Sequence, residues 1–376
     1  MVSAQTLIED PIMTTQALVA ESSAREATLE REGTLTRWAE RGLIPDGLLR
    51  LGIRRQCAAR LSEENAMGVE ATAERQRACI DALRKSPIAI ETDAANAQHY
   101  ELPPPFFKLC LGRNLKYSSC YWDETTPDLD AAEARMLKFY GERAELADGQ
   151  AILELGCGWG SLTLWMAAKF PNAHVTAVSN SRPQREYIEA RARERGLDNL
   201  KIITTDVNQL SLDEAQFDRV VSIEMFEHMR NYEHLLQRVA SWLKPGGKLF
   251  VHIFCHKTLA YPFETAGEDN WMGRHFFTGG LMPAADTLLH FQKHIQIEER
   301  WLLPGTHYEK TANAWLDNQD KNREQVMDVL TQAYGVEQAK LWNQRWRMFW
   351  MACAELFGYA DGSEWLVAHY RFARTA

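Results

Sequence analysis

The sequence predicts a doubly wound α/β fold, a Rossmann-like parallel sheet with helices on both faces. Three observations carry this reading. Short apolar segments alternate with helical ones from Ala151 to Phe254, the rhythm of right-handed β–α–β crossovers. A glycine cluster, Gly156-Cys157-Gly158-Trp159-Gly160, stands where the first apolar segment gives way to the first helix, a place where bare backbone can approach a ligand. The turn Pro245-Gly246-Gly247 resets the chain before the fifth segment.

Met1 to Gly33 reads as a polar, flexible segment. Residues 34–130 read as a helical N-terminal region. Leu35 and Trp38 share one face of a short helix that stops near Gly42, ahead of Pro45-Asp46-Gly47. A second helix starts about Leu48, with Leu48, Leu49 and Ile53 as an apolar docking face and Arg50, Arg54 and Arg55 elsewhere. Glu101 to Phe107 carries three prolines, which argues against a regular helix. In the domain expected over 131–376, strands fall at Ala151–Leu155, His174–Val178, Leu200–Thr204, Phe217–Ile223 and Lys248–Phe254. Helices fall at Ser161–Lys169, Pro183–Arg195 and Tyr232–Leu243. Ile295–Leu303 and Trp365–Phe372 read as late strands. An aromatic-rich helical insert, about 304–358, lies between them and before the last strand.

Composition narrows the function. A net charge of −9 gives no basic footprint for nucleic acid. No apolar run approaches the ~20 residues needed to span a bilayer, and the start lacks the basic and apolar regions of a secretory signal. None of the seven cysteines forms a C-x-x-C pair, so neither a metal knuckle nor a disulfide framework is signalled, and a cytoplasmic setting is expected.

The glycine loop discriminates among nucleotide folds. A dinucleotide fold wants G-x-G-x-x-G and an acid about 20 residues on. Here the third glycine comes one position early, and the second strand ends Val178-Ser179-Asn180. A P-loop needs Gly-Lys-Ser/Thr, which is absent. Glu154-Leu155-Gly156-Cys157-Gly158-Trp159-Gly160 resembles the loop by which methyltransferases bind S-adenosylmethionine (SAM). Asp206 follows the third strand, where an acid can accept from an adenine amino group, although a lone Asp at a strand end is more often a turn or cap residue.

Longer motifs carry a more specific resemblance, running from about Leu43 to the C-terminus. They are Tyr100-Glu101-Leu102-Pro103, Leu115-Lys116-Tyr117-Ser118-Ser119-Cys120-Tyr121, Ser222-Ile223-Glu224-Met225-Phe226-Glu227-His228-Met229, His256-Lys257-Thr258, Phe357-Gly358-Tyr359 and Glu364-Trp365. With them the chain resembles the coclaurine N-methyltransferase branch of the cyclopropane-fatty-acid-synthase superfamily. The resemblance implies that Tyr117 and Ser118 close over SAM from the segment before the sheet. It implies that Gly156, Gly158 and Trp159 line its methionine side, that Ser179, Asn180 and Gln184 hold the ribose, and that Asp206 takes the adenine. No metal is implied. The expected partner is a small-molecule amine, the cyclic tetrahydroisoquinoline type being one candidate, with membrane lipid a partner only under a rival reading. A homodimer stays open.

The chemistry concentrates at Glu224, Glu227 and His228, whose spacings of three and four place them on one side of a helical turn at the carboxyl edge of the sheet. An aliphatic amine of pKa near 10 is about one part in a thousand neutral at pH 7, and freeing its lone pair costs roughly 4 kcal/mol. A carboxylate can attract the ammonium and an imidazole can take its proton. The two glutamates are therefore expected to bind and His228 to act as the base, with Glu101 a further carboxylate; a purely structural network at this corner is the plainer alternative.

The rival is a cyclopropane synthase acting on unsaturated lipid, whose bicarbonate pocket resembles Glu227, His252 and Tyr308. Two departures favour the amine: Ser119 stands where the synthases carry cysteine, and Glu224 where a small residue precedes Met225. A SAM-binding protein without turnover is a third possibility. Of the aromatics Trp315, Trp342, Trp346, Phe349, Trp350, Phe357 and Tyr359, most are expected to pack the core of amphipathic helices and one or two to face substrate.

Overall fold

The computed structural model describes residues 33–66, 68–90, 102–267 and 270–375. The expected segment 1–33 and the candidate Glu101 therefore fall outside the described residues, Gly33 apart. Among the described residues the nine strands are β1 (Ala151–Leu155), β2 (His174–Ser179), β3 (Leu200–Thr204), β4 (Phe217–Ile223), β5 (Leu243–His256), β6 (Tyr261–Pro262), β7 (Leu281–Met282), β8 (Ile295–Leu303) and β9 (Trp365–Arg374). Seven of them form one sheet in the order β3-β2-β1-β4-β5-β9-β8, while β6 and β7 make a separate ribbon. The strands from β3 to β5 are parallel, and β9 runs antiparallel between β5 and β8. The order reverses direction beside β1, so its carboxyl end and that of β4 open on one crevice, the place where such sheets hold ligands.

The described helices are α1 (Thr34–Glu40), α2 (Asp46–Asn65), α3 (Gly68–Lys85), α4 (Pro104–Cys110), α5 (Leu129–Arg143), α6 (Ser161–Lys169), α7 (Arg182–Glu194), α8 (Tyr232–Trp242), α9 (Trp271–His275), α10 (Thr306–Lys321), α11 (Arg323–Tyr334) and α12 (Val336–Gly358). Helix α4 corrects the reading of the proline segment. Pro104 and Pro105 occupy the first helical turn, where a missing N–H forfeits no internal hydrogen bond and a fixed φ suits the helix. The turn at Pro245-Gly246-Gly247 lies within β5. Phe217 pairs with Leu243 and Arg219 with Lys248, so residues 244–247 loop out of the ladder, with Gly246 at φ 76°.

The aromatic insert is the three helices α10–α12. Trp315, Trp346, Trp350 and Phe357 are buried in a core shared with α4 and the segment after it, whereas Trp342 and Tyr359 are only partly buried. The N-terminal arm docks on this insert. Leu49, Ile53 and Leu61 pack against its core while Leu48 stays exposed. Arg50 and Arg54 of α2 pair with Glu355 at 2.7 and 2.9 Å, and Arg347 bridges Asp46 and Asp320. The carboxylate of Glu40, itself buried, accepts from Arg345 Nε at 2.7 Å and Trp271 Nε1 at 2.9 Å.

Candidate active site

The crevice beside β1 is a cavity lined by the glycine loop, the ends of β2 and β4, and the segment Leu115–Ser118. Three loop glycines have positive φ: 77° at Gly156, 50° at Gly158 and 79° at Gly160. Their neighbours differ. A Cβ on Gly156 would meet Met225 Cγ at 2.7 Å and one on Gly160 would meet Ile188 Cγ1 at 2.6 Å, whereas at Gly158 it would find no atom within 4 Å. The first and third glycines thus permit close packing, and the second leaves the cavity open. Tyr117, Ser118, Trp159, Ser179, Asn180, Gln184 and Asp206 also line it.

Ser179 Oγ donates to Gln184 Oε1 at 2.7 Å, which fixes the amide so that Gln184 Nε2 is buried without a protein partner; Trp159 Nε1 and Ser161 Oγ are orphaned likewise. Buried donors with no partner are costly, and these three belong to residues of the cavity wall, so the wall fits a polar ligand with acceptors of its own. Asp206 accepts the backbone N–H of Asn208 through Oδ1 at 2.6 Å. It is thus both a turn residue and a cavity residue.

The covering segment is held by a group the sequence reading missed. Glu133, buried on α5, accepts from the backbone N–H groups of Gly112 at 3.0 Å, Asn114 at 2.7 Å and Lys116 at 3.2 Å. Burial pushes its carboxyl up to about 7 despite these donors. A carboxylate four residues past Leu129, the first residue of α5, and facing a loop leaves no pattern in sequence. Lys116, also buried, donates to Ser118 Oγ and to the carbonyl of Ser119, both at 2.6 Å.

At the end of β4 the chain does not enter an α-helix, as the spacing suggested. Glu224 has φ 46°, uncommon for a residue with a Cβ, and only a single 3-10 turn, Phe226–His228, follows. The backbone reversal separates the two glutamates. Glu224 and His228 line the cavity. Glu227 is buried outside that lining, with Oε2 unpartnered among the described residues. The placement of all three on one side of a helical turn is therefore corrected.

Glu224 is gripped on both oxygens. Oε1 accepts the Ser119 backbone N–H at 2.9 Å and lies 3.0 Å from His252 Nε2, and Oε2 accepts the Tyr308 hydroxyl at 2.8 Å. His252 and Tyr308, read as substrate contacts, are buried away from the cavity wall with those atoms committed to Glu224. Burial raises both glutamates, and Glu227 much further, because Lys116, the Ser119 N–H and Tyr308 favour the charged form of Glu224, whereas the charge of Glu224 pushes Glu227 further up. Of the two, Glu224 is therefore the one whose surroundings favour a carboxylate and Glu227 the one whose surroundings favour the proton. The His228 ring stacks on Phe277, centroids 4.7 Å apart. Burial, then Arg230, push it down to about 4, with Glu224 pulling the other way. It is neutral at physiological pH.

A sheet of this order, a glycine loop at its first turn and a cavity with orphaned donors define a SAM-dependent methyltransferase. The chain belongs to the mycolic acid cyclopropane synthetase family, whose profile matches residues 89–363. It is 39% identical over 344 residues to the (S)-coclaurine N-methyltransferase of Thalictrum flavum subsp. glaucum, covering 89% of this chain and 94% of that one. It is 33% identical to the pavine N-methyltransferase of the same plant, covering 93% and 99%. A crystal structure of coclaurine N-methyltransferase bound to N-methylheliamine and SAH superposes with a TM-score of 0.87 at 38% identity, over 90% of this chain and 98% of that one. The expected place in the coclaurine N-methyltransferase-like branch, the fold class and the cofactor SAM are thereby established.

Proposed function

We propose that the chain transfers the methyl of SAM to the nitrogen of a cyclic secondary or tertiary amine of the tetrahydroisoquinoline type, with Glu224 and His228 as its catalytic residues. One observation carries the reading: a carboxylate held by three donors on the wall of a largely apolar cavity. Such a group attracts an ammonium into a place where water would otherwise compete for it. When bound, SAM supplies an electrophilic methyl on a sulfonium. The residues must supply a neutral nitrogen. His228 is unprotonated and so can accept, but an imidazole held down at about 4 is a weak base for an amine of pKa near 10. That gap of about six units corresponds to roughly 8 kcal/mol. The pull of Glu224 is already contained in that value, so the gap has to close from the amine's side, where the positive sulfonium of bound SAM would lower the pKa of a neighbouring ammonium. Tyr117, Ser118, the loop glycines with Trp159, and Ser179, Asn180, Gln184 and Asp206 are the groups proposed to hold SAM.

The family's own description offers lipid cyclopropanation as the second reading. Against it, the donors Ser119 N–H, His252 and Tyr308 are already filled by Glu224, leaving no place there for a separate anion. The test is methyl transfer from labelled SAM to a panel of cyclic amines and, in parallel, to vesicles of unsaturated phospholipid, both in bicarbonate-depleted buffer. Turnover is expected on amines alone. Product on lipid only, or amine turnover that collapses until bicarbonate is added, would overturn the proposal.

A further inference from the structure

Behind Glu224 runs a chain of side chains that the methyl transfer does not touch. His252 on β5 faces His369 on β9, the two being directly paired across the antiparallel ladder. Both are fully buried. His369 Nε2 lies 2.8 Å from His252 Nδ1, and His369 Nδ1 lies 2.6 Å from Arg143 Nη1 at the end of α5. The guanidinium is itself wedged between Phe139 and Trp301, 5.0 Å from each ring centre.

The direction of every hydrogen bond in this chain follows from one fact: a guanidinium only donates. His369 Nδ1 must therefore accept, which puts the proton of its neutral ring on Nε2. That N–H points at His252 Nδ1, which must accept in turn. The proton of His252 is then on Nε2, facing Glu224 Oε1 at 3.0 Å. The Tyr140 hydroxyl, 3.0 Å from His252 Nδ1, shares the same acceptor. Burial holds both imidazoles well below their ordinary range, and Arg143 and Lys116 push the same way, so each ring carries a single proton and the assignment has no second solution.

We propose, resting on the reading of Glu224 above, that Arg143 and His369 are positioning residues: they lock His252 into the tautomer that always offers Glu224 an N–H. Two consequences follow. Glu224 is kept a carboxylate, aimed by a bond whose polarity cannot invert. The relay also conducts no proton outward, since its far end is a group that cannot accept one. The proton released on methylation leaves by the cavity side, past His228.

The relay is tested by long-range 1H–15N spectra of the full-length protein labelled at histidine, with no amine present. Wild type is expected to show His252 and His369 wholly as Nε2–H tautomers. Arg143→Met removes the donor and keeps the stem; it should bring His252 into a mixture of tautomers and lower kcat about tenfold or more, the scale seen when partners that orient reacting groups are lost. The SAM dissociation constant should stay within about twofold, the effect being confined to the Glu224 side. Arg143→Lys should restore both signals. His369→Gln, whose amide can accept from Arg143 and donate to His252, should retain the wild-type tautomer of His252, whereas His369→Leu should not. An Nε2–H His252 in Arg143→Met and His369→Leu, or a changed tautomer with unchanged kcat, overturns the proposal. If no amine is methylated, the functional reading falls while the spectra still decide the relay.

Discussion

Glu224 and Glu227 are three residues apart and identical in side chain, yet the fold places them in surroundings that favour different charge states. This leads to opposite expectations. Glu227→Gln replaces a protonated carboxyl by an isostere, so amine turnover should stay within about twofold. Glu224→Gln removes the carboxylate and should raise KM for the amine and lower kcat together. Equal losses in the two variants would show that the proton is not on Glu227. Deleting the Glu224 side chain tests the cradle itself. In Glu224→Gly the Ser119 N–H, His252 and Tyr308 donors remain around an empty carboxylate-sized space, and added formate is expected to restore at least a tenth of the lost activity. His228→Ala should reduce kcat by roughly 10²–10⁴-fold, the usual reach of a general base, and the defect should shrink as pH nears the amine's pKa. A constant ratio of wild type to variant across that range would leave His228 as packing for Phe277. The residue types of this site were legible, since a charged triad after an apolar strand is chemically conspicuous. Their division of labour was not, because it depends on the positive φ of Glu224, which the sequence pattern does not encode for a residue other than glycine. Arg143 and His369 were missed for a related reason: they join the site only through strand pairing and helix packing.

Helices and strands were legible where period and punctuation agree. Ser161–Lys169 and Ile295–Leu303 match the expected bounds. The errors arose where proline was read only as a breaker, at α4, and where a bulge took the place of a turn, within β5. The glycine loop allows an element-level test. Gly158→Leu would send its side chain into the cavity, where no protein atom lies within 4 Å of the new Cβ; calorimetry should find SAM binding weakened at least about a hundredfold, while the φ of 50° costs the fold about 1–2 kcal/mol. Gly160→Val would collide with Ile188 and should lower stability by about 1–3 kcal/mol, the scale of overpacking. SAM binding unaffected by Gly158→Leu would remove the loop from the site.

Across the whole molecule, buried titratable groups oppose one another in pH. His228, His256 and His307 are pushed down to about 4 and His275 to about 3, burial being the first cause in each. The unfolded chain binds those protons from about pH 6.5, so this contribution to stability is lost as pH falls from about 6.5 toward 4. Burial raises Glu133 to about 7 and Glu154 to about 8. For these the native state holds a proton the unfolded chain has released, so stability is lost as pH rises from about 4.5 through 7 and 8. Of these six groups only the two carboxyls still change above about 6.5, and below it the four histidines outnumber them. Urea unfolding without SAM should find maximal stability near pH 6–7, falling on both sides, and Glu154→Gln should flatten the alkaline side. A stability that climbs steadily to pH 8.5 would contradict the protonated carboxyls.

The place of β9 has a consequence for how the molecule is made. It follows every other described strand in sequence, yet it lies inside the sheet, between β5 and β8. Until it arrives, β5 exposes an unpaired edge along Leu249, Val251 and Ile253, residues fully buried in the finished sheet, and such edges invite pairing with other chains. His369 arrives on the same strand. Synthesis thus leaves the aggregation-prone edge and the unsupported Glu224 open together, and one late, long-range zippering event closes both. A chain ended before β9 is therefore expected to be both inactive and prone to self-association, which sedimentation of a chain truncated just before β9 would check.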